Sequence, residues 1–492
     1  MSTTEQATRW EAVIGLEVHV ELSTRTKMFC GCAIDFGGEP NVRTCPVCLG
    51  QPGSLPVPNR AAVESAIRLG LALGCQIAPW SQFHRKNYFY PDMPKDYQIS
   101  QYDVPICLGG ALEISTSAGT KRVGITRVHM EEDTGKSLHI GKMGTSGRIH
   151  GAEYSLVDYN RAGIPLLECV SEPDLRSAEE ARAYLTELRE IVLALGISDA
   201  KLEEGSMRCD ANVSLRPVGH TVFGTRAEVK NMNSVRSLGR AIDYEIARQT
   251  DVLSSGGRVV QETRHWNEDA GTTSTLRVKE ETEDYRYFPD PDLMPITPAE
   301  DWVEAIRQSM PELPAVTRQR LVDLYGLSAE QVATLAGGGL TAVFEQAVEG
   351  GAGPTEAVNW LVNETMGWAS ERGVEASASP LTGALLAELV ALVADGTLST
   401  KLGREVLVGV LDGEGSPREV VAARGLEQIS DTDELAGIVD AVIADNADAA
   451  QRVRDGNRKA IGALVGPVMR ATQGKANPQL VNQLLVERLL SG

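Results

Sequence analysis

The stretch Leu16-Glu17-Val18-His19-Val20-Glu21-Leu22 alternates apolar and polar residues without a break. A period of two marks a strand with one buried face. Leu16, Val18, Val20 and Leu22 therefore point inward, while Glu17, His19 and Glu21 share the other face. A second strand of this kind runs from Cys209 to Arg216, with Cys209, Ala211, Val213 and Leu215 inward and Asp210, Asn212, Ser214 and Arg216 opposite. Two helices interrupt such strands. Asn59 caps one from Arg60 to about Leu73, stopped by Gly74. Ser177 opens a capping box with Glu180, and Tyr184, Leu185, Leu188, Ile191, Val192 and Leu195 keep helical period until Gly196. Most strand connections are too short for helical crossovers, so this part reads as α+β with an antiparallel sheet.

A chain of 492 residues exceeds one core, and its length suggests about three domains. After the Pro-rich stretch from Pro289 to Pro298, helical periodicity takes over from Trp302 onward, and Gly413–Pro417 makes a further break. The resulting expectation is 1–298, 299–412 and 413–492. The net charge of -20 excludes binding of nucleic acid by the whole surface, so any RNA contact needs a local basic patch. One candidate follows the acidic stretch Val421–Ala450. There Arg452, Arg454, Arg458, Lys459, Arg470, Lys475 and Arg488 face only Asp455 and Glu487. It is either an RNA footprint or a solvated helix face. No apolar run reaches 18 residues, and Met1–Trp10 lacks the apolar core of a signal peptide, so a cytoplasmic protein is expected.

Four of the eight cysteines cluster as Cys30-x-Cys32 and Cys45-x-x-Cys48. Paired short spacings supply two edges of a tetrahedron, which suits structural Zn²⁺ held by four thiolates; four independent thiols are the alternative. Carboxylates form the second constellation: Glu17 beside His19, Asp210 beside Asn212, Glu228 between Arg226 and Lys230, and Glu131, Glu132 and Asp133 in a row. Glu168 lies inside the apolar run Pro165–Val170, where an unpaired charge is costly. Such acids, with Lys86 and Lys230, suit metal-assisted phosphoryl transfer. Thr134-Gly135-Lys136-Ser137 imitates the end of a phosphate-binding loop, but the opening glycine would fall at Met130, so no Walker A is present. No amidase-type serine motif is found either.

The segment Val157-Asp-Tyr-Asn-Arg-Ala-Gly-Ile-Pro-Leu-Leu-Glu168 resembles the signature of the B subunits of tRNA-dependent amidotransferases, the GatB family. Val13–Leu22, Arg85–Asp92, His129–Asp133, Glu203–Asn212, Asp284–Asp290 and Ala476–Asn482 match it too, over effectively the full length. The resemblance implies an antiparallel-sheet cradle related to glutamine synthetase and guanido kinases, then a helical domain and a YqeY-like tail, both contacting tRNA. It implies ATP- and Mg²⁺-dependent phosphorylation of the side-chain carboxylate of Glu-tRNA(Gln) or Asp-tRNA(Asn). Amidation follows, with ammonia channelled from glutamine by an amidase A subunit, and the assembly is braced by a small C subunit. By motif, His19, Glu132 and Glu168 resemble the metal-binding group, with Glu17, Lys86, Asp210 and Glu228 around the same pocket. In a regular strand Glu132 would lie opposite His129 and Glu131, so Glu131 is the alternative ligand unless a bulge intervenes. Some family members lack the four cysteines that this chain retains. A zinc-containing tRNA adaptor without catalysis is the rival reading.

Overall fold

The computed structural model describes residues 9–35, 37–141, 152–278, 285–426, 432–455, 458–472, 476 and 478–490. The chain divides into two compact units, Met1–Leu313 and Pro314–Gly492. In the first, β1 (Trp10–Glu21) is followed by α1 (Arg60–Ala72), β2 (Gln76–Ile77), β3 (His84–Asn87), β4 (Tyr97–Ser100), β5 (Cys107–Leu108), β6 (Ala111–Thr116) and β7 (Gly119–Glu132). Next come β8 (Lys136–Gly141), β9 (Ala152–Asp158), β10 (Pro165–Ser171), α2 (Ala178–Ala194), β11 (Met207–Pro217), β12 (Ala227–Met232) and α3 (Val235–Ser254). Finally β13 (Glu262–Asn267), β14 (Thr272–Val278), β15 (Phe288–Pro289) and α4 (Glu300–Gln308) complete the unit.

The main sheet runs β14-β13-β12-β11-β1-β10-β7-β4-β3-β15, while β8 and β9 pair as a separate hairpin. The alternation of residues 16–22 decides the centre. Leu16, Val18 and Val20 are buried, and β1 lies antiparallel between β10 and β11. Beneath that apolar face, α1, α2 and α3 add Ile67, Tyr184, Leu188, Leu238 and Ile242 to one continuous core. Asn59 caps α1 as the sequence indicates, its Oδ1 accepting from the Ala61 amide at 3.0 Å. At α2 only half of the box closes: Ser177 accepts from the Glu180 amide, but the Glu180 carboxylate turns to the Arg176 amide at 2.7 Å. The sheet departs from the antiparallel expectation at one pair, β12 and β13. The 20-residue α3 between them is the long crossover that a parallel pair requires.

The second unit is helical throughout its described residues, with two apolar clusters spanning Leu321–Leu426 and Leu435–Leu489. Both boundaries lie later than the Pro- and Gly-rich breaks suggest. Ile306 of α4 belongs to the first core, and Arg60 stacks over Trp302 at 4.8 Å, so the sheet unit runs past 298. Pro417 starts a helix capped by Ser416 and Glu419, and its Val420 and Val421 join the core of the preceding helices. A proline at the first helical position opens a helix and separates nothing. Among the described residues no helix is long and apolar enough to cross a membrane.

Leu167 of β10, next to Glu168 in sequence, is wholly buried in the sheet unit's core. Leu167→Ala is expected to destabilise that unit by about 2–5 kcal/mol, the range for a truncated core leucine. Met294→Ala, at 83% exposure, should stay within about 0.5 kcal/mol in the same denaturant titration.

Candidate active site

The open face of the sheet carries the polar half of each alternating strand. Cross-strand register then lines the groups up. Glu168 of β10 sits opposite His129 of β7 on one side and His19 of β1 on the other, and Glu17 sits opposite Asp210 of β11. Asn212 faces Glu228 of β12. Glu17, His19, His129, Glu168, Asp210 and Glu228 line a cleft of about 530 Å³ together with Lys86, Glu131, Arg208, Lys230 and several tyrosines.

Its centre is a triad. One donor atom each from His19, Glu131 and Glu168 lie within 4.8 Å of one another. His19 Nε2 is 3.3 Å from Glu168 Oε2, and His129 Nε2 reaches Glu131 Oε1 at 3.2 Å and Glu168 Oε2 at 3.5 Å. Arg127 Nε donates to His129 Nδ1 at 3.3 Å, which leaves the His129 Nε2–H to face the two carboxylates. Ser100 Oγ and Gln98 Nε2 also donate to Glu131, at 2.7 and 3.1 Å. Burial works to raise the Glu131 carboxyl, yet the His129 bond holds it down at about 2. Burial opposes Glu168 in the same way, and His129 and His19 keep it well below the usual carboxylate range.

Around the triad the acids outnumber what the lysines neutralise. Burial, with Glu168, Glu228 and Asp210 nearby, pushes the Glu17 carboxyl up; Asn212 Nδ2 donates to it at 2.9 Å. Lys230 bridges Asp210 and Glu228, and Thr263 Oγ1 donates to Glu228 at 2.8 Å. Lys86, on β3, lies 4.9 Å over the ring of Tyr285, and although burial disfavours its charge, Glu131 holds it protonated. Asn212 Oδ1 is buried without a hydrogen-bond partner. Crowded carboxylates and an imidazole whose donor atoms converge fit a divalent cation with oxygen and nitrogen ligands.

Glu132 is not part of this group. From Arg127 to Glu132 β7 keeps an unbroken register with β10, so Glu132 points through the sheet to the other face, where it pairs with Lys95 and accepts from the Ile99 amide at 2.9 Å. Glu131 is the acid that lies with His19 and Glu168, because a period of two puts one of the two neighbours on that face and not both. His19, Glu168, Glu17, Lys86, Asp210 and Glu228 all line the cleft. His129 was missed as a site residue, although its alternation with Glu131 was a usable signal. Tyr285 and Tyr287 stood unread inside the Asp284–Asp290 motif.

The four clustered cysteines also converge, their sulfurs within 4.8 Å of one another. Cys48 is pushed down to about 5, first by the Cys30 thiol and then by the Cys45 amide and Lys27, whose Nζ lies 3.8 Å from the sulfur. Four sulfurs closing on one point fit a thiophilic ion such as zinc. In the second unit Arg452, Arg454 and Arg470 are exposed; the side chains of Arg458 and Lys459, and all of Lys475, lie outside the described residues.

A family model described as the GatB/GatE catalytic domain matches residues 12–304, and another described as GatB domain matches 342–489. The chain belongs to the GatB family. It is 58% identical to the B subunit of the aspartyl/glutamyl-tRNA(Asn/Gln) amidotransferase of Thermobifida fusca, over 98% of this chain and 94% of that protein. The corresponding protein of Frankia casuarinae is 54% identical over 98% of this chain and 96% of its own, and that of Salinispora arenicola 53% over 99% and 97%. The GatB catalytic match covers the whole cleft and the cysteine cluster.

Two neighbouring substitutions separate ligand from strut. Glu131→Gln should weaken Mn²⁺ binding by at least about tenfold in a calorimetric titration. Glu132→Gln should leave Mn²⁺ affinity alone and lower the thermal midpoint, because Lys95 loses its buried counter-charge. For the cysteines, elemental analysis should find about one zinc per chain, and chelation should lower the melting temperature. Metal-free protein with unaltered melting would contradict that assignment.

Proposed function

We propose that this protein uses ATP and Mg²⁺ to phosphorylate the side-chain carboxylate of Glu-tRNA(Gln), Asp-tRNA(Asn) or both, and then lets ammonia displace the phosphate. The observation that carries the reading is the convergence of His19, Glu131 and Glu168 with Lys86 in one cleft. The name of its relatives, amidotransferase, supports the same reading.

A carboxylate resists attack by ammonia because oxide is a poor leaving group. Its oxygen attacks the terminal phosphorus of ATP, the bond to ADP breaks, and an acyl phosphate forms. Ammonia adds to the carbonyl carbon, phosphate leaves, and the surplus proton passes to a base. A bound Mg²⁺ supplies Lewis-acid neutralisation of the phosphate oxygens. His19, Glu131 and Glu168 would hold it. Lys86 offers a point charge to the transferring phosphoryl group. His129 keeps Glu131 and Glu168 ionised and aimed. Glu17, pushed toward its neutral form and next to Asp210, is placed to take up or return a proton. Burial of the row limits hydrolysis of the acyl phosphate.

The same reading includes an amidase A subunit that frees ammonia from glutamine, a small C subunit, and a cytoplasmic setting. It includes a glutamine synthetase-like cradle, followed by a helical domain and a YqeY-like tail. Exposed Arg452, Arg454 and Arg470 favour a tail that touches tRNA phosphates, as do Arg458, Lys459 and Lys475 in sequence.

Glu168→Gln tests the reading in the complex reconstituted with its partner subunits. Transamidation should fall by at least about 100-fold, while tRNA affinity stays within about twofold, since the change removes none of the cations of the basic tail. Normal transamidation by this variant would establish the rival, a zinc-containing tRNA adaptor.

A further inference from the structure

Aromatic residues are scarce in this chain: 7 Phe, 6 Trp and 11 Tyr among 492 residues. Yet Tyr88, Tyr102, Tyr285 and Tyr287 all line the cleft that holds the His19–Glu131–Glu168 group. Tyr102 and Tyr287 lie face to face, with centroids 4.4 Å apart and planes 11° from parallel, and Tyr102 remains 46% exposed. Tyr285 meets Tyr287 edge to face at 6.2 Å and carries Lys86 over its own ring. The shelf therefore adjoins the lysine that faces Glu131.

The segment bearing two of these rings is tied down. Asn87 Nδ2 donates to the carbonyls of Tyr285 and Arg286, both at 2.9 Å. Phe288 pairs with Arg85 across β3, and Arg85 Nε donates to the buried Asp290 carboxylate at 2.8 Å. Between the two tyrosines Arg286 takes a φ of 45°, a left-handed conformation unfavourable for a residue with a Cβ. Backbone strain held in place by converging bonds, at a rim where half-buried rings back one exposed ring, points to a ligand that the exposed face receives.

We infer that the Tyr102–Tyr287 stack is the base shelf of the cleft, receiving the adenine ring of a nucleotide whose phosphate end lies toward Lys86 and the metal-binding acids. This rests on the phosphoryl-transfer reading above. Aromatic faces stack any base, so the shelf supplies affinity while Lys86 and the triad place the phosphates. Two adenines accompany this chemistry, that of ATP and the terminal adenosine of the tRNA, and the ring is the chemistry they share.

The test uses the reconstituted complex with Tyr102→Ala and Tyr102→Phe. Calorimetry gives the affinity for ADP and for tripolyphosphate, each with Mg²⁺, and transamidation gives KM for ATP and for misacylated tRNA. Loss of one stacking face should weaken adenine binding about tenfold, and Tyr102→Phe should restore it. Tripolyphosphate, which has no base, should bind all variants within about twofold of the unmodified complex, since its contacts are to the cations alone. Weaker ADP binding with raised KM for ATP places the ATP ring on the shelf. Raised KM for tRNA alone places the terminal adenosine there. Unchanged constants throughout, or equal losses for ADP and tripolyphosphate, would overturn the shelf and leave the phosphoryl-transfer reading standing. An unmodified complex that binds neither probe would overturn both.

Discussion

Register between four antiparallel strands is the constraint on which the site depends. β7, β10, β1 and β11 align so that His129, Glu168, His19 and Arg208 form one row across the sheet. A slip of one residue in any of them would carry its polar groups onto the helix-covered face. What prevents the slip is the opposite face, where Val18, Leu167, Cys169, Val128 and Cys209 are buried against α1, α2 and α3. The core thus sets the geometry of the cleft without touching it.

The second constraint is charge. Buried carboxylates persist only with compensation. Here the compensation is divided: His129 and His19 serve Glu131 and Glu168, Lys230 serves Asp210 and Glu228, and Lys86 faces the gap between. Glu17, with an amide as its hydrogen-bond donor, is a cleft carboxyl that is pushed up. Glu132, one residue from the triad, spends its charge on Lys95 on the other side of the sheet. Neighbouring acids of the same motif thereby face opposite sides of the sheet and take different partners.

Much of this was legible from local pattern. The alternation of residues 16–22 and 209–216 named both central strands and the right polar face of each. The paired cysteine spacings named a cluster whose sulfurs do converge. Periodicity alone also preferred Glu131; the motif resemblance pointed to Glu132, and the regular course of β7 sides with the period. Other features left weaker marks. The crossover α3 and its parallel strand pair went unread, as did the stacking of Tyr102 on Tyr287, two residues far apart in the chain. Domain limits were placed after residues 298 and 412, at Pro- and Gly-rich breaks whose prolines begin or precede helices that pack backward into the preceding cores.

The amino-acid sequence by itself determined which side chains share a face, because alternation and helical period are properties of neighbouring residues. It also determined that Glu168, set inside the apolar run Pro165–Val170, would need a compensating partner, because an unpaired buried charge is costly. Tertiary structure alone decided which strands lie side by side, and so which acids meet. Strand pairing joins segments remote in the chain through backbone hydrogen bonds that carry no residue identity, and only burial of the whole opposite face selects among the registers.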